Sequence, residues 1–409
     1  MQAACFYGKH DIRTQNVPDP ILINPRDAIL KVNSTTICGS DLHIYDGYIP
    51  TVMPGDILGH EFMGEVVEVG RELTDVKVGD RVVVPSVIAC GDCYFCKHGL
   101  FSLCDNSNPK AGMIERIYNQ SPAGIFGYSH LFGGYAGSFS EYIRVPYADQ
   151  GFFKIPDGVP DEIAMFASDA FPTGYMAADM CNIEPGQTVA VWGCGAVGQF
   201  AIQSAWLLGA GRVIAIDRYP ERLNAARRHG KAETLNYEEV NVVEALTEMT
   251  GGRGPDACID AVGMEADDTG IEELEDRPKQ AVRMLMDRIY VVREAILACR
   301  KGGTVSIVGV YAFLVDKFPL GAAMNKGLTF RMGQMHAHRY VKHLLELLQQ
   351  GKVDPSFLIT HRLPLSEVHE GFEMFRKKED QVMRVVFQPG VNGSNGNGRG
   401  NRRGNGAGI

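Results

Sequence analysis

The sequence predicts an α/β protein in two parts, a β-rich first third followed by a doubly wound parallel sheet. Two features of the chain predict it. Short runs rich in valine and isoleucine, bounded by turn residues, dominate up to about residue 170. Beyond that point apolar strands alternate with helical patterns, the rhythm of a parallel sheet covered on both faces. At 409 residues, 45% hydrophobic and 22% charged, the chain is long enough for two globular domains with a core each.

In chain order, "AILKVNSTTIC", "EFMGEVVEVG" and "DRVVVPSVIAC" read as strands closed by turns. "QTVAVWGCGAVGQFAIQSAWLLGAGRVIAID" reads as strand, tight glycine turn, helix and strand, and "GPDACIDAVG" and "GGTVSIVGVY" add buried strands. After about residue 335, "RYVKHLLELLQQGKV" and "EVHEGFEMFRKKED" are helical, and "QVMRVVFQP" is a last strand. Two segments break this pattern. Acid-rich "MEADDTGIEELEDRPK" (264–279) is expected to be a surface insertion, with a partner surface as the alternative. The terminal "GVNGSNGNGRGNRRGNGAGI" has too little apolar area to fold. A disordered extension is expected there, with an arginine–glycine segment that binds RNA as the alternative.

A net charge of −9 leaves no basic surplus to neutralise phosphates, which argues against nucleic acid as a partner. The opening "MQAACFYGKHDIRT" mixes charges among its apolar residues, unlike a signal peptide, and no run approaches eighteen apolar residues. A cytoplasmic protein without a membrane span is expected. In that reducing compartment, clustered cysteines read as metal ligands before disulfides. Of the ten cysteines, Cys5, Cys181, Cys258 and Cys299 stand singly in apolar contexts and are expected to be core residues.

The cluster is "CGDCYFCKHGLFSLC", with two residues between each of Cys90, Cys93 and Cys96 and seven between Cys96 and Cys104. Four thiolates at such spacing can surround one zinc ion tetrahedrally. Unpaired thiols or a redox pair explain the repetition less well. A centre with four thiolate ligands has no open coordination position, so a structural zinc is expected here, with the chemistry elsewhere.

In the second part, "VWGCGAVGQ" places Gly193, Gly195, Ala196, Val197 and Gly198 between a strand and a helix. Backbone amides at that helix start can face a pyrophosphate. Asp217, nineteen residues after Gly198 at the end of the next strand, can accept hydrogen bonds from adenosine ribose hydroxyls and would repel a 2′-phosphate. NAD is therefore expected over NADP, although Arg218 and Arg222 keep NADP open.

Upstream, "TTICGSDLHIYDG" sets Cys38, Ser40 and His43 in a loop after a strand, and "GDILGHEFMGEVVEVG" sets His60 and Glu61 in a glycine-bounded turn. Each alone is a weak signal. In this order, together with the four-cysteine lobe and the glycine turn, they resemble the zinc-dependent medium-chain alcohol dehydrogenase family, from residue 1 to about 390. The resemblance implies a GroES-like catalytic domain over 1–170, resumed at 335–390, around a Rossmann domain at 171–334, with the tail at 391–409. It further implies a catalytic zinc on Cys38, His60 and a third ligand matched by Asp169 in "FASDAFPTGYMAAD". Glu61 would be a ligand or stand just behind the ligands. Ser40 and His43 match the family's proton relay, although by spacing alone they are equally well polar loop residues. Arg222 matches a basic residue on the ribose side. Arg384 matches a position near the cofactor phosphates, with a surface strand arginine as the alternative. A homodimer or homotetramer is implied as well.

Asp169, the stretch "GYSHLFGGYAGSFSEYIRVPYAD", the segments "ACRKGGTVSIVGVY" and "GQMHAHRY", and an insertion near 264–295 look like the glutathione-independent formaldehyde dehydrogenase and formaldehyde dismutase branch. The expected activity is hydride transfer from a small alcohol or an aldehyde hydrate to NAD. A polyol, sugar or longer-chain alcohol dehydrogenase is the enzymatic alternative. A NAD-binding structural or regulatory protein is the other.

Overall fold

The computed structural model describes residues 1–265, 286–287, 289–311, 314–315 and 317–390. Two sheets organise them. The first has seven strands, in the order Ile359–Pro364, Arg384–Gln388, Ala28–Thr36, Glu61–Val69, Arg81–Val84 and Phe153–Lys154, with Tyr142–Val145 also pairing with Ala28–Thr36. Its pairs are antiparallel apart from the first, where Ile359–Pro364 runs parallel to Arg384–Gln388. Alternate residues Ala28, Leu30 and Val32 face Phe62, Val66, Val82 and Val84 in one buried cluster, as the two-residue period of a strand requires.

The second sheet has six parallel strands, in the order Glu233–Asn236, Arg212–Asp217, Thr188–Trp192, Ala257–Asp260, Thr304–Ile307 and Thr329–Met332. Its strands read as unbroken apolar runs because both faces are covered. Val189, Val191, Val213 and Ala215 pack against the helices Ala170–Asp179 and Ala196–Leu207. Ala190, Trp192, Ile214 and Ile216 pack on the other face against the helices Val242–Met249 and Tyr290–Ala298. Strand order reverses between Thr188–Trp192 and Ala257–Asp260, which opens a crevice beyond their carboxyl ends.

The expected fold class, a β-rich antiparallel unit beside a doubly wound parallel sheet, is the one the chain adopts. Cys5, Cys181, Cys258 and Cys299 are buried, and none of the ten cysteines is in a disulfide. Several short strands were not anticipated, among them Glu233–Asn236, Thr329–Met332 and Ile359–Pro364. The first two are the edges of the parallel sheet, exposed enough to lack an apolar run. The expected insertion near 264–295 is shorter than its upper bound, because Tyr290–Ala298 is a helix whose Val291, Val292, Ala295 and Ile296 belong to the core. Residues 266–285 and the tail 391–409, on which the insertion and extension readings rest, lie outside the described residues.

Candidate active site and metal centres

The strand Ala28–Thr36 runs into a seven-residue helix, Gly39–Tyr45, with Cys38 as its N-cap. Asp41, at the third helical position, accepts a hydrogen bond through Oδ2 from the Cys38 backbone N–H at 2.9 Å, half of a capping box. Its other oxygen lies 3.2 Å from Nδ1 of His60. Asp41 is fully buried. One carboxylate therefore fixes both the loop that carries Cys38 and the ring of His60. A proton kept on Nδ1 leaves Nε2 as the coordinating nitrogen.

His60 and Glu61 sit at the start of the strand Glu61–Val69, and Asp169 stands between the turn Met165–Ser168 and the helix Ala170–Asp179. One ligand atom from each of Cys38, His60, Glu61 and Asp169 lies within 4.8 Å of the others. Burial and then Glu61 push the Cys38 thiol up. Burial pushes the Glu61 carboxyl up to about 7, against the pull of the Arg384 guanidinium. Arg384 Nη1 lies 2.9 Å from Glu61 Oε1.

These residues fit a zinc ion. Fully ionised, the three acids Cys38, Glu61 and Asp169 face one guanidinium and leave two negative charges uncompensated, the charge of one Zn2+. Glu61 Oε1 and Oε2 are also buried without a well-aligned hydrogen bond, at the place where a cation would satisfy the cluster. Replacing Asp41 by asparagine keeps the shape and removes the charge. It is expected to weaken zinc affinity at this centre by about 10- to 100-fold, measured by chelator competition, with the four-cysteine centre unaffected.

The second cluster lies on one lobe. Cys90 and Cys96 sulfurs are 4.0 Å apart, as are those of Cys93 and Cys104. A zinc tetrahedron with Zn–S bonds of about 2.3 Å has S–S edges of roughly 3.8 Å. Backbone N–H groups of Cys90, Asp92, Cys93 and Cys96 and the Asn106 side-chain amide donate to these sulfurs at 3.3–3.5 Å, which favours thiolates. The Cys96 thiol beside it holds Cys104 well below the usual thiol range. All four sulfurs are used within the cluster, and none borders the main cavity.

That cavity, about 810 Å3, runs between the sheets. Cys38, Ser40, His43, His60 and Asp169 border one end, and Gly193, Gly195, Ala196, Val197, Asp217, Arg218 and Arg222 border the other. Gly195 caps the helix Ala196–Leu207, so that helix's first amides open toward the cavity. Gly193 has φ +87°, and a Cβ there would stand 2.7 Å from Val262. Gly198 is not on the cavity wall. A Cβ on it would meet the Gly193 carbonyl oxygen at 1.7 Å, so it serves the close packing of turn and helix. Asp217 accepts from the backbone N–H groups of Cys194 (2.7 Å), Arg218 (2.7 Å) and Tyr219 (3.0 Å), which fix its carboxylate on the cavity wall beside the glycine turn. Arg218 and Arg222 both lie over the Tyr219 ring, at 4.9 and 4.8 Å.

Two buried placements bear on the expected roles. Arg384 is 2% exposed, which rules out a surface strand arginine. Its guanidinium reaches Glu61 and the Ile37 carbonyl, so among described residues it is anchored to the ligand cluster, although it also borders the cavity. His43 is 5% exposed, and its opening is into the cavity, so any proton it carries leaves by that route. Ser40 Oγ lies 3.2 Å from His60 Nε2. Glu61 is fully buried and off the cavity wall. Asp41 escaped sequence reasoning. Its only signal was its place three residues after Cys38, the spacing of a capping box.

Two sheets, a helix start facing a cavity and a Cys/His/carboxylate cluster at its far end define a zinc-dependent oxidoreductase that uses a nicotinamide dinucleotide. Comparison with known proteins fixes the family. The alcohol dehydrogenase GroES-like domain matches residues 24–157, and the zinc-binding dehydrogenase domain matches residues 196–277. AdhB of Bacillus subtilis, described as an uncharacterized zinc-type alcohol dehydrogenase-like protein, is 42% identical over 95% of this chain and all of its own. The alcohol dehydrogenase TADH from Thermus sp. ATN1 superposes with a TM-score of 0.80 at 36% identity, over 95% of this chain and 100% of its own. The glutathione-independent formaldehyde dehydrogenase of Pseudomonas aeruginosa is 32% identical over 90% of this chain and 93% of its own. The chain belongs to the zinc-dependent medium-chain alcohol dehydrogenase family. Among the described residues, no helix is long and apolar enough to cross a membrane.

Proposed function

We propose that this protein oxidises a small primary alcohol, or the hydrate of a formaldehyde-like aldehyde, with NAD as acceptor. The observation that supports this most directly is the single cavity joining the Cys38, His60 and Asp169 cluster to the glycine turn. In this reading those three residues hold the catalytic zinc, with Glu61 behind them, while Cys90, Cys93, Cys96 and Cys104 hold the structural one. Gly193, Gly195, Ala196, Val197, Asp217, Arg218 and Arg222 receive the dinucleotide, and Arg384 keeps Glu61 in place.

Zinc, when bound, acidifies an alcohol hydroxyl that reaches it, and the nicotinamide ring accepts hydride from the alcohol carbon. The chain's own side chains handle position and protons. Asp41 holds the His60 ring. The Ser40 hydroxyl is placed to take the proton of the substrate hydroxyl, and His43 to carry it along the cavity. Apolar Val87, Ile125 and Met335 on the same wall keep water from the reacting carbon. The overall change is alcohol to aldehyde, or hydrate to acid, with two electrons and one proton leaving as hydride and a second proton reaching solvent.

The Asp217 carboxylate supports NAD over NADP. Asp217→Asn keeps an acceptor for the turn amides but drops the charge. It is expected to lower the NAD-to-NADP ratio of kcat/KM by about 10- to 100-fold, read from initial rates with each cofactor.

The domain division at residues 170, 335 and 390 belongs to the same reading. So does a homodimer or homotetramer, supported by the exposed edge strand Thr329–Met332 beside the exposed Leu320 and Met324. Thiolate ligands call for a reducing compartment, which supports the cytoplasm. The deciding experiment is NADH formation from formaldehyde without added thiol, alongside methanol, ethanol and a polyol. A strong formaldehyde signal is expected. Inert formaldehyde with active longer alcohols or polyols would replace the substrate class and leave the zinc chemistry standing.

A further inference from the structure

Four hydroxyl side chains border the cavity close to the ligand cluster: Ser40, Ser86, Tyr128 and Thr173. Two are committed. Ser40 serves the proton relay proposed above, and Thr173 Oγ1 donates to the Asp169 carbonyl at 2.7 Å. Ser86 and Tyr128 are different. They are only 2% and 6% exposed, both border the cavity, and no hydrogen bond of either hydroxyl is found among the described residues. A tyrosine hydroxyl can donate as well as accept.

Both groups are held firmly beside the ligands. The Ser86 N–H donates to the carbonyl of Ser168, next to Asp169, at 3.2 Å, and its own carbonyl accepts from Phe126 N–H at 3.1 Å. Val87 bridges Ile125, so the segment carrying Ser86 runs antiparallel to the one leading to Tyr128. The Tyr128 ring stands edge-on to His60 (6.2 Å, 88°) and to Phe132 (5.5 Å, 72°). Around them the wall is apolar, formed by Val87, Ile125 and Met335. A substrate with a bare alkyl group would desolvate two buried hydroxyls and return nothing, whereas a second hydroxyl on the substrate would satisfy them.

We propose that Ser86 and Tyr128 form a subsite for a second, non-reacting hydroxyl of the substrate, on the reacting carbon as in an aldehyde hydrate or on its neighbour as in a 1,2-diol. This rests on the reading that Cys38, His60 and Asp169 receive the reacting oxygen, and it narrows the substrate class to molecules with two such hydroxyls.

The test compares the zinc-loaded full chain with Tyr128→Phe and Ser86→Ala, using formaldehyde, 1,2-ethanediol, ethanol and methanol with NAD. Tyr128→Phe keeps the ring that packs on His60, and zinc content and Tm are checked for each variant. Each variant is expected to lower kcat/KM for formaldehyde or 1,2-ethanediol about 10- to 100-fold, mainly through KM, while the values for ethanol and methanol move less than about 3-fold. Which of the two hydroxylated substrates responds tells a hydrate from a neighbouring diol. Equal losses on all four substrates, no loss on any, or a wild-type preference for ethanol over both hydroxylated substrates would overturn the subsite and leave the zinc and NAD reading intact. A zinc-loaded wild type inert on all four overturns that reading, and the subsite with it.

Discussion

Cys38→Ala is expected to abolish NAD reduction, with kcat/KM lowered by at least about 10^3-fold, and to halve the zinc bound per chain from two ions to one. The size of the effect follows from how the cluster is built. Cys38 caps its helix through its backbone N–H on Asp41, and alanine preserves that bond. The change therefore subtracts a sulfur ligand without unfolding the loop. It also removes one of three negative charges that together require a divalent cation. Elemental analysis with a thermal melt checks the result. One zinc retained, with an almost unchanged Tm and no activity, is the expected pattern. Activity within 10-fold of wild type would remove Cys38 from the ligand set.

The second large effect falls on stability. Cys104→Ser is expected to release the other zinc and lower Tm by at least about 5–10 °C, the response of a closed thiolate centre whose metal binding is part of folding. Cys90, Cys96 and Cys104 are all but buried, so three thiols and a hydroxyl would remain packed together without a cation. The loss should reach the cavity as well. Ser102, inside the lobe, donates to the Gln334 carbonyl at 2.9 Å, and Gln334 borders the dinucleotide cavity. A rise in KM for NAD along with the fall in Tm is therefore expected. Steady-state kinetics below the melting range checks it, and an unchanged Tm would show that the lobe does not depend on its metal.

Local patterns made part of this legible beforehand. The spacing of Cys90, Cys93, Cys96 and Cys104 and the turn from Gly193 to Gly198 are short-range signals, because each site is built from one stretch of chain. Asp169 and the Cys38–His60 pair required resemblance to a family, since no local rule joins residues from three distant loops. Asp41 looked like one more polar residue of its loop, and only the fold shows that its second oxygen faces His60. Arg384 kept two readings for a related reason. A strand arginine gives no sign in sequence that it will be buried beside Glu61. Ser86 and Tyr128 gave no sign at all, because an unpartnered hydroxyl is a property of the packed state.

The pairing of Arg384–Gln388 with Ala28–Thr36 also bears on the order in which the chain is made. Arg384 reaches the carbonyl of Ile37, a residue 347 positions earlier and next to Cys38. At synthesis rates of roughly 5–20 residues per second, the emerging Cys38, His60 and Glu61 wait on the order of 20 to 70 seconds for the guanidinium that closes their pocket. During that interval the acidic ligands have no arginine beside them. Closure of the pocket around Glu61 is thus tied to a late stage of translation, and a ribosome that stalls before Arg384 leaves a nascent chain whose second sheet is already made but whose first sheet lacks the strand that carries this arginine.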